Sequence, residues 1–355
     1  MLRIVFALIL MPILAIAPAK AATSDIARAA ISGFIIPGYE QLTGEAELQA
    51  LSFDKLCAQP DAANLATARA GFEALVTAWG RVEPVRFGPV LTDNRLDRIL
   101  FWPDRKSTGL KQVQRAIATK DETATTLAIL QQKSVALQGL GALEFVLFGT
   151  GADKLAGPEG AYRCAFGHAI AAALHATGAE ILADWEAPDG IASHMIAPQP
   201  NYADYRTEDE VLQELLGVWV HGMELIRDTR IAPFYANSRK DSNAKAALFW
   251  RSGLTFAAMR ANAFGMRDMF IVSGLSDALA ETARWAGGAF VFELDNFVRT
   301  AGDINPPVDE ALNDDEMRAK ISYLLILTTS LQRIAVQQIG AELGLSAGFS
   351  ALDGD

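Results

Sequence analysis

Apolar residues recur at helical spacing along almost the whole of this 355-residue chain, and no stretch alternates apolar with polar side chains as a half-buried strand would. That pattern restricts the fold to packed helices. The spacing predicts helices over Ser24–Ile36, Ala63–Trp79, Leu110–Ala118, Glu122–Phe148, Ala161–Trp185, Glu208–Asp228, Lys245–Phe264, Ala278–Arg299 and Asp314–Leu343. Pro37-Gly38, Pro84, Gly88-Pro89, Pro103, Gly157-Pro158, Pro188, Pro198, Pro200 and Pro306-Pro307 fall between them and read as helix ends. Thr207, followed by Glu208-Asp209-Glu210, is a helix start with negative charge at the positive end of the dipole.

The stretch from Ala187 to Arg206 carries three prolines and little periodicity, so the expected boundary lies there. The expectation is an all-α protein of two helical-bundle domains packed side by side, 22–190 and 207–355, joined by a linker at 191–206. Ile35-Ile36-Pro37-Gly38-Tyr39 echoes Ile231-Ala232-Pro233-Phe234-Tyr235, a hint of duplication.

Residues 1–21 read as a cleaved signal peptide. Arg3 precedes an apolar run from Ile4 to Ile16, and Ala19-Lys20-Ala21 offers small residues for cleavage after Ala21. The run is shorter than the roughly 20 residues needed to span a bilayer, and no Cys follows it to carry a lipid. No later segment reaches spanning length without charge, so the expected location is the periplasm, with no transmembrane segment in the mature chain. Removal of the leader leaves 29 basic against 42 acidic residues. With no basic block in so acidic a chain, a nucleic-acid partner is not expected. Four His and two Cys exclude zinc-finger and iron–sulfur frameworks. In an oxidising compartment the expectation for Cys57 and Cys164 is a disulfide, the alternative being two buried thiols.

Within the predicted helix 122–148, Leu137, Leu140, Glu144 and Leu147 share one face, which sets a carboxylate on an apolar stripe. Such a charge is costly unless paired, protonated or metal-bound, and an Arg from residues 81–105 is the expected partner. Gly139 and Gly141 beside it leave room for another backbone or a ligand to approach. Helix packing with a core ion pair is the alternative reading.

The segment Gln138-Gly139-Leu140-Gly141-Ala142-Leu143-Glu144-Phe145-Val146-Leu147-Phe148-Gly149 resembles the signature of the imelysin-like family. Four further segments match that family: Ile36–Tyr39, Trp79–Pro89, Asp97–Asp104 and Tyr162-Arg163-Cys164. The resemblance implies an exported all-α protein of two bundles. It also implies kinship with an imelysin peptidase and with proteins tied to iron uptake. The signature is Gly-x-His-x-x-Glu; Gly139 and Glu144 match it, and Gly141 stands in the histidine position. Without the imidazole, Glu144 is a single oxygen ligand, which disfavours zinc and leaves iron, another oxygen-ligated divalent metal, or no metal.

Five arginines, at 81, 86, 95, 98 and 105, crowd a segment that also holds Glu83, Asp93, Asp97 and Asp104. Guanidinium forks suit carboxylate or phosphate groups, and Phe87, Phe101 and Trp102 can wall a pocket. The alternative is an Arg–carboxylate lattice that fixes an irregular loop. The expected ligand site therefore comprises Gly139, Gly141, Glu144, Glu83, Arg86, Asp97, Arg98 and Trp102. His221 and Glu224, spaced i and i+3, form a second pair of metal-ligand type, and Glu293 is a second acid on an apolar face. The leading expectation is an envelope protein that binds a metal ion or small ligand in connection with iron uptake. A metallopeptidase and a non-enzymatic adaptor for another envelope protein are the competing ones.

Overall fold

The computed structural model describes residues 22–345, and every regular element among them is helical. The predicted leader lies outside these residues. In chain order the α-helices are α1 Thr23–Ala30, α2 Ile36–Ala58, α3 Ala62–Val82, α4 Arg95–Ile99, α5 Thr108–Thr119, α6 Leu127–Leu130 and α7 Gly139–Phe148. They continue with α8 Ala161–Trp185, α9 Ile191–Ile196, α10 Glu208–Glu224, α11 Thr255–Ser273, α12 Arg284–Gly302, α13 Val308–Ala311 and α14 Asp315–Ile334. None of the described helices is long and apolar enough to cross a membrane.

Local chemistry sets many of these ends. Asp61 caps α3 by accepting from the Asn64 amide at 2.8 Å, and Asp314 caps α14 by accepting from Met317 at 2.9 Å. Thr207 accepts from the Glu210 amide at 3.2 Å, as its position before an acidic run predicts.

Several segments depart from the sequence expectation: the helix predicted from Ala278 begins only at Arg284, and the expected linker at 191–206 contains α9. Pro37-Gly38 does not end a helix. Ile31–Ile35 forms a π-helical turn that carries α1 directly into α2, with Pro37 in the first turn of the new helix. The wider turn shifts the carbonyl that the proline ring would otherwise strike. The echoed sequence uses the same device: Leu225–Ile231 is a π turn that closes with the Ala232 amide donating to Arg227 O at 2.9 Å, immediately before Pro233. The predicted helix 122–148 is instead a series of short turns ahead of α7, because Gly139 stands at φ +73° after an extended Gln138. The predicted helix from Lys245 begins only at Thr255; residues 244–254 form short turns around Phe249 at φ +59°.

The first group of helices is built on α2, which packs against α3 and α8, with α7 laid on α8. The second comprises α10, α11, α12 and α14. They meet where α3 packs on α11 and where α1 packs on α10 and α11, and one continuous apolar core runs through both. Gly265 makes the α3–α11 approach possible: a Cβ there would overlap the backbone of Arg81.

The expected disulfide is present. Cys57 at the end of α2 bonds Cys164 near the start of α8 across 5.6 Å between Cα atoms, closing a loop of 107 residues. Closure of so long a loop removes denatured-state entropy worth about 4–5 kcal/mol on the chain-entropy model. Reduction should therefore lower the urea midpoint of the folded protein markedly. The Cys57→Ala/Cys164→Ala protein should unfold at that lower midpoint with or without reductant; equal midpoints for oxidised wild type and the double variant would contradict this.

Candidate ligand-binding site

Helix α7 is fixed at both ends. At its C-terminus the Arg163 guanidinium donates to three carbonyls, Val146 (2.8 Å), Phe145 (2.5 Å) and Thr150 (2.8 Å), and Arg69 donates to Leu147 at 3.0 Å. The Val146 and Leu147 carbonyls are acceptors the helix end leaves free, Phe145 O also accepts from the Gly149 amide at 2.9 Å, and the positive charge complements the dipole. Burial pushes the Arg163 guanidinium down to about 10, so it is charged at neutral pH. At the N-terminus, Gly139 lies against the Arg98–Ile99 backbone, with its absent Cβ 2.7 Å from the Arg98 carbonyl oxygen. Only glycine fits both that approach and the positive φ.

Between these anchors Glu144 is 4% exposed. Its Oε1 accepts from the backbone amides of Arg251 and Ser252, both at 3.0 Å, and from the Ser252 hydroxyl at 2.9 Å. The expected arginine from 81–105 is not its partner; a turn from the other half of the chain is. A carboxylate can be satisfied by backbone donors as well as by a cation, and the left-handed Phe249 presents two successive amides to it. Oε2 accepts from no protein group among the described residues. Burial raises the Glu144 carboxyl above the usual carboxylate range, partly offset by the Ser252 and Arg251 interactions.

Glu144 forms part of the wall of a cavity of about 820 Å³. Phe101, Trp102, Gly141 and Phe145 line it from the first half of the chain, and Thr229, Pro233, Trp250 and Arg251 from the second. The Trp102 indole donates to Thr229 O at 3.0 Å, tying the two walls together. A Cβ on Gly141 would meet nothing within 4 Å. Gly141 therefore borders open volume one helical turn from Glu144.

The family model for imelysin (Peptidase_M75) matches residues 35–336. The chain belongs to the imelysin family. An imelysin-like protein from Psychrobacter arcticum 273-4 superposes with a TM-score of 0.73 at 18% identity, over 93% of this chain and 99% of that one. A protein described as an iron-regulated protein A precursor, from Parabacteroides distasonis ATCC 8503, gives a TM-score of 0.73 at 15% identity, over 89% of this chain and 95% of that one. The comparison with curated proteins gives no match.

The structure brings Gly141, Glu144 and Trp102 of this imelysin-family chain together at the cavity, with Gly139 behind them. Four other expected site residues stand outside its wall. Glu83 is buried in an ion pair with Arg230 and accepts from Asn262 Nδ2 at 3.0 Å. Arg98 pairs with Glu180 at 3.0 Å, beside Arg95, which reaches Glu180 and Asp184. Arg86 is half-buried near Tyr39, Asp97 and Arg230, and burial raises the Asp97 carboxyl. Most of the arginine cluster is thus a lattice that fixes the irregular segment, much of it anchored on α8.

His221 Nδ1 lies 3.0 Å from Glu224 Oε2, and the other Glu224 oxygen accepts from Gln332 at 2.6 Å. That pair is committed to itself and to α14. Glu293 is half-buried and meets only Asn296, at 3.4 Å. Among the described residues no three His, Cys, Asp or Glu side chains converge as a metal cage. The donor set at Glu144, a single free carboxylate oxygen, does not suit a metal held by the protein alone.

Sequence reasoning missed the turn at 249–252 and the cations Lys245 and Arg251 on the cavity wall, and it placed Arg105 in the arginine cluster but not in the expected site. Ser252-Gly253 is a turn signal that the apolar spacing on either side concealed.

Two contrasts test this geometry. Gly139→Ala should cost about 3 kcal/mol or more in chemical denaturation, from positive φ and backbone overlap. Gly141→Ala should instead gain up to about 1 kcal/mol, since helix propensity improves in open space. Because the folded Glu144 carboxyl is raised above its ordinary 4.5, its neutral form favours folding at low pH, and that advantage is lost as pH rises through the folded value. Gln keeps the acceptor and cannot ionise. Glu144→Gln should therefore match wild type in melting temperature near pH 4 and exceed it at pH 8; parallel curves across that range would refute the assignment.

Proposed function

We propose that this imelysin-family protein is an exported, non-proteolytic binder of a small ligand in the cell envelope, serving iron handling. The carrying observation is the division of labour at Glu144. One oxygen is saturated by the turn at 251–252, and the other has no protein partner among the described residues, in the wall of a cavity large enough for a small organic molecule. A purely structural acid would be expected to use both oxygens. The name of the Parabacteroides neighbour supports the link to iron, and the leader-like first 21 residues support export to the periplasm.

Peptidase chemistry finds little support in these residues. A metal-activated water needs several protein ligands and an open position, and Glu144 with Gly141 supplies one ligand.

Native mass spectrometry of protein purified from the periplasm should reveal a bound small molecule that is released on denaturation. Gly141→Trp, which projects into open volume, should abolish that adduct while the fold persists. Gly141→His should raise divalent-metal affinity, and wild type should leave denatured casein intact in added zinc. An adduct that survives Gly141→Trp, or zinc-dependent cleavage lost in Glu144→Gln, would overturn the reading.

A further inference from the structure

We infer that the ligand of this cavity is an organic anion carrying at least two acidic oxygens, received by Arg251, Lys245 and Arg105, with a hydroxyl-type donor meeting Glu144. The inference rests on the cavity reading above and names the class of molecule it accommodates.

The wall contains three carboxylates and three cations; the protein supplies partners to each carboxylate, to Glu144 on one oxygen only. Asp104 accepts from the amides of Thr108 (2.6 Å), Gly109 (2.9 Å) and Leu110 (3.2 Å), the free donors at the start of α5. Asp228 is held by Arg227 through two bonds of 2.8 Å. Glu144 Oε1 is taken by the 251–252 turn, which leaves one acceptor oxygen.

Arg105, Lys245 and Arg251 form no ion pair and donate no side-chain hydrogen bond among the described residues. Arg251 is half-buried, with its guanidinium 4.5 Å from the Trp250 ring centroid and 5.4 Å from that of Phe145. Lys245 stands 5.9 Å from the same Trp250 ring. Stacking orients these groups and leaves their N–H donors unused. Several arginines elsewhere are held by carboxylates: Arg81 by Asp268, Arg95 and Arg98 by Glu180, Arg230 by Glu83, Arg267 by Asp295. Three cations without a carboxylate partner thus share one concavity of a chain of net charge −11, where their donors are available to an anion. Two or more acidic oxygens answer the three cations, and Glu144 Oε2 takes a donor from the same molecule. The aromatic walls accept its less polar part.

Isothermal titration of the full folded protein with three probes tests this. Citrate, a hydroxy-tricarboxylate, should bind, and raising salt between about 20 and 200 mM should weaken it. Lys245→Gln/Arg251→Gln should raise its Kd about tenfold or more, and Arg105→Gln, at an exposed position, should raise it by a smaller factor. Spermidine, a polycation, and phenol, a neutral aromatic, should not compete with it. Binding of spermidine or phenol without citrate would sink the anion inference while leaving the cavity a ligand site. Silence with all three probes would count against both. Citrate binding that ignores salt and every one of these substitutions would also overturn the inference.

Discussion

A buried carboxylate joins the two halves of this molecule. Glu144, on the short helix α7, reaches the turn at 251–252 and gathers two amides and a hydroxyl on one oxygen. Neither partner is stable alone in that setting. A desolvated carboxylate without donors is costly, and so are two buried amides without an acceptor. Their union fixes the position of α7 against the segment 244–254, and the space left over beside that contact is the cavity.

The rest of the first half holds α7 in place. Arg163 clamps the carbonyls of its last turn, and the neighbouring residue, Cys164, is bonded to Cys57 on α2. Gly139 lets the start of the helix settle on the end of α4. Along the second wall, the π turn at Leu225–Ile231 sends Arg230 inward to Glu83 and leaves Thr229 O to receive the Trp102 indole. The widened turn thus serves the core on one side and the cavity on the other. π turns often occur where a chain must place side chains off the regular helical register.

Much of the fold was legible because its signals are local. The limits of α8 follow from periodicity and flanking Gly-Pro, and α10 starts where Thr207 meets its acidic run. Pro37 misled, because a proline's effect depends on whether the preceding turn can widen, and propensity does not report that. Glu144 was legible as an acid among apolar neighbours, although Leu137 belongs to a different turn and not to its helix face. The arginine cluster gave the right region with the wrong roles. Glu83, Arg95 and Arg98 share their charges with Arg230 and with α8, while Arg105 and the distant Lys245 and Arg251 remain unpaired.

By itself, then, the sequence determined that the protein is helical, that an acid stands among apolar neighbours in a segment resembling an imelysin signature, and that two cysteines are available for a bridge. Each is a property of residue type and short-range spacing. Tertiary structure alone decided which donors satisfy Glu144, which arginines are consumed in the lattice and which face the cavity. Those outcomes join residues far apart in the chain, such as Glu144 with Ser252 and Glu83 with Arg230, both more than 100 positions apart. Pairings at that separation are selected by the packing of whole helices, where burying one unsatisfied group outweighs local preference.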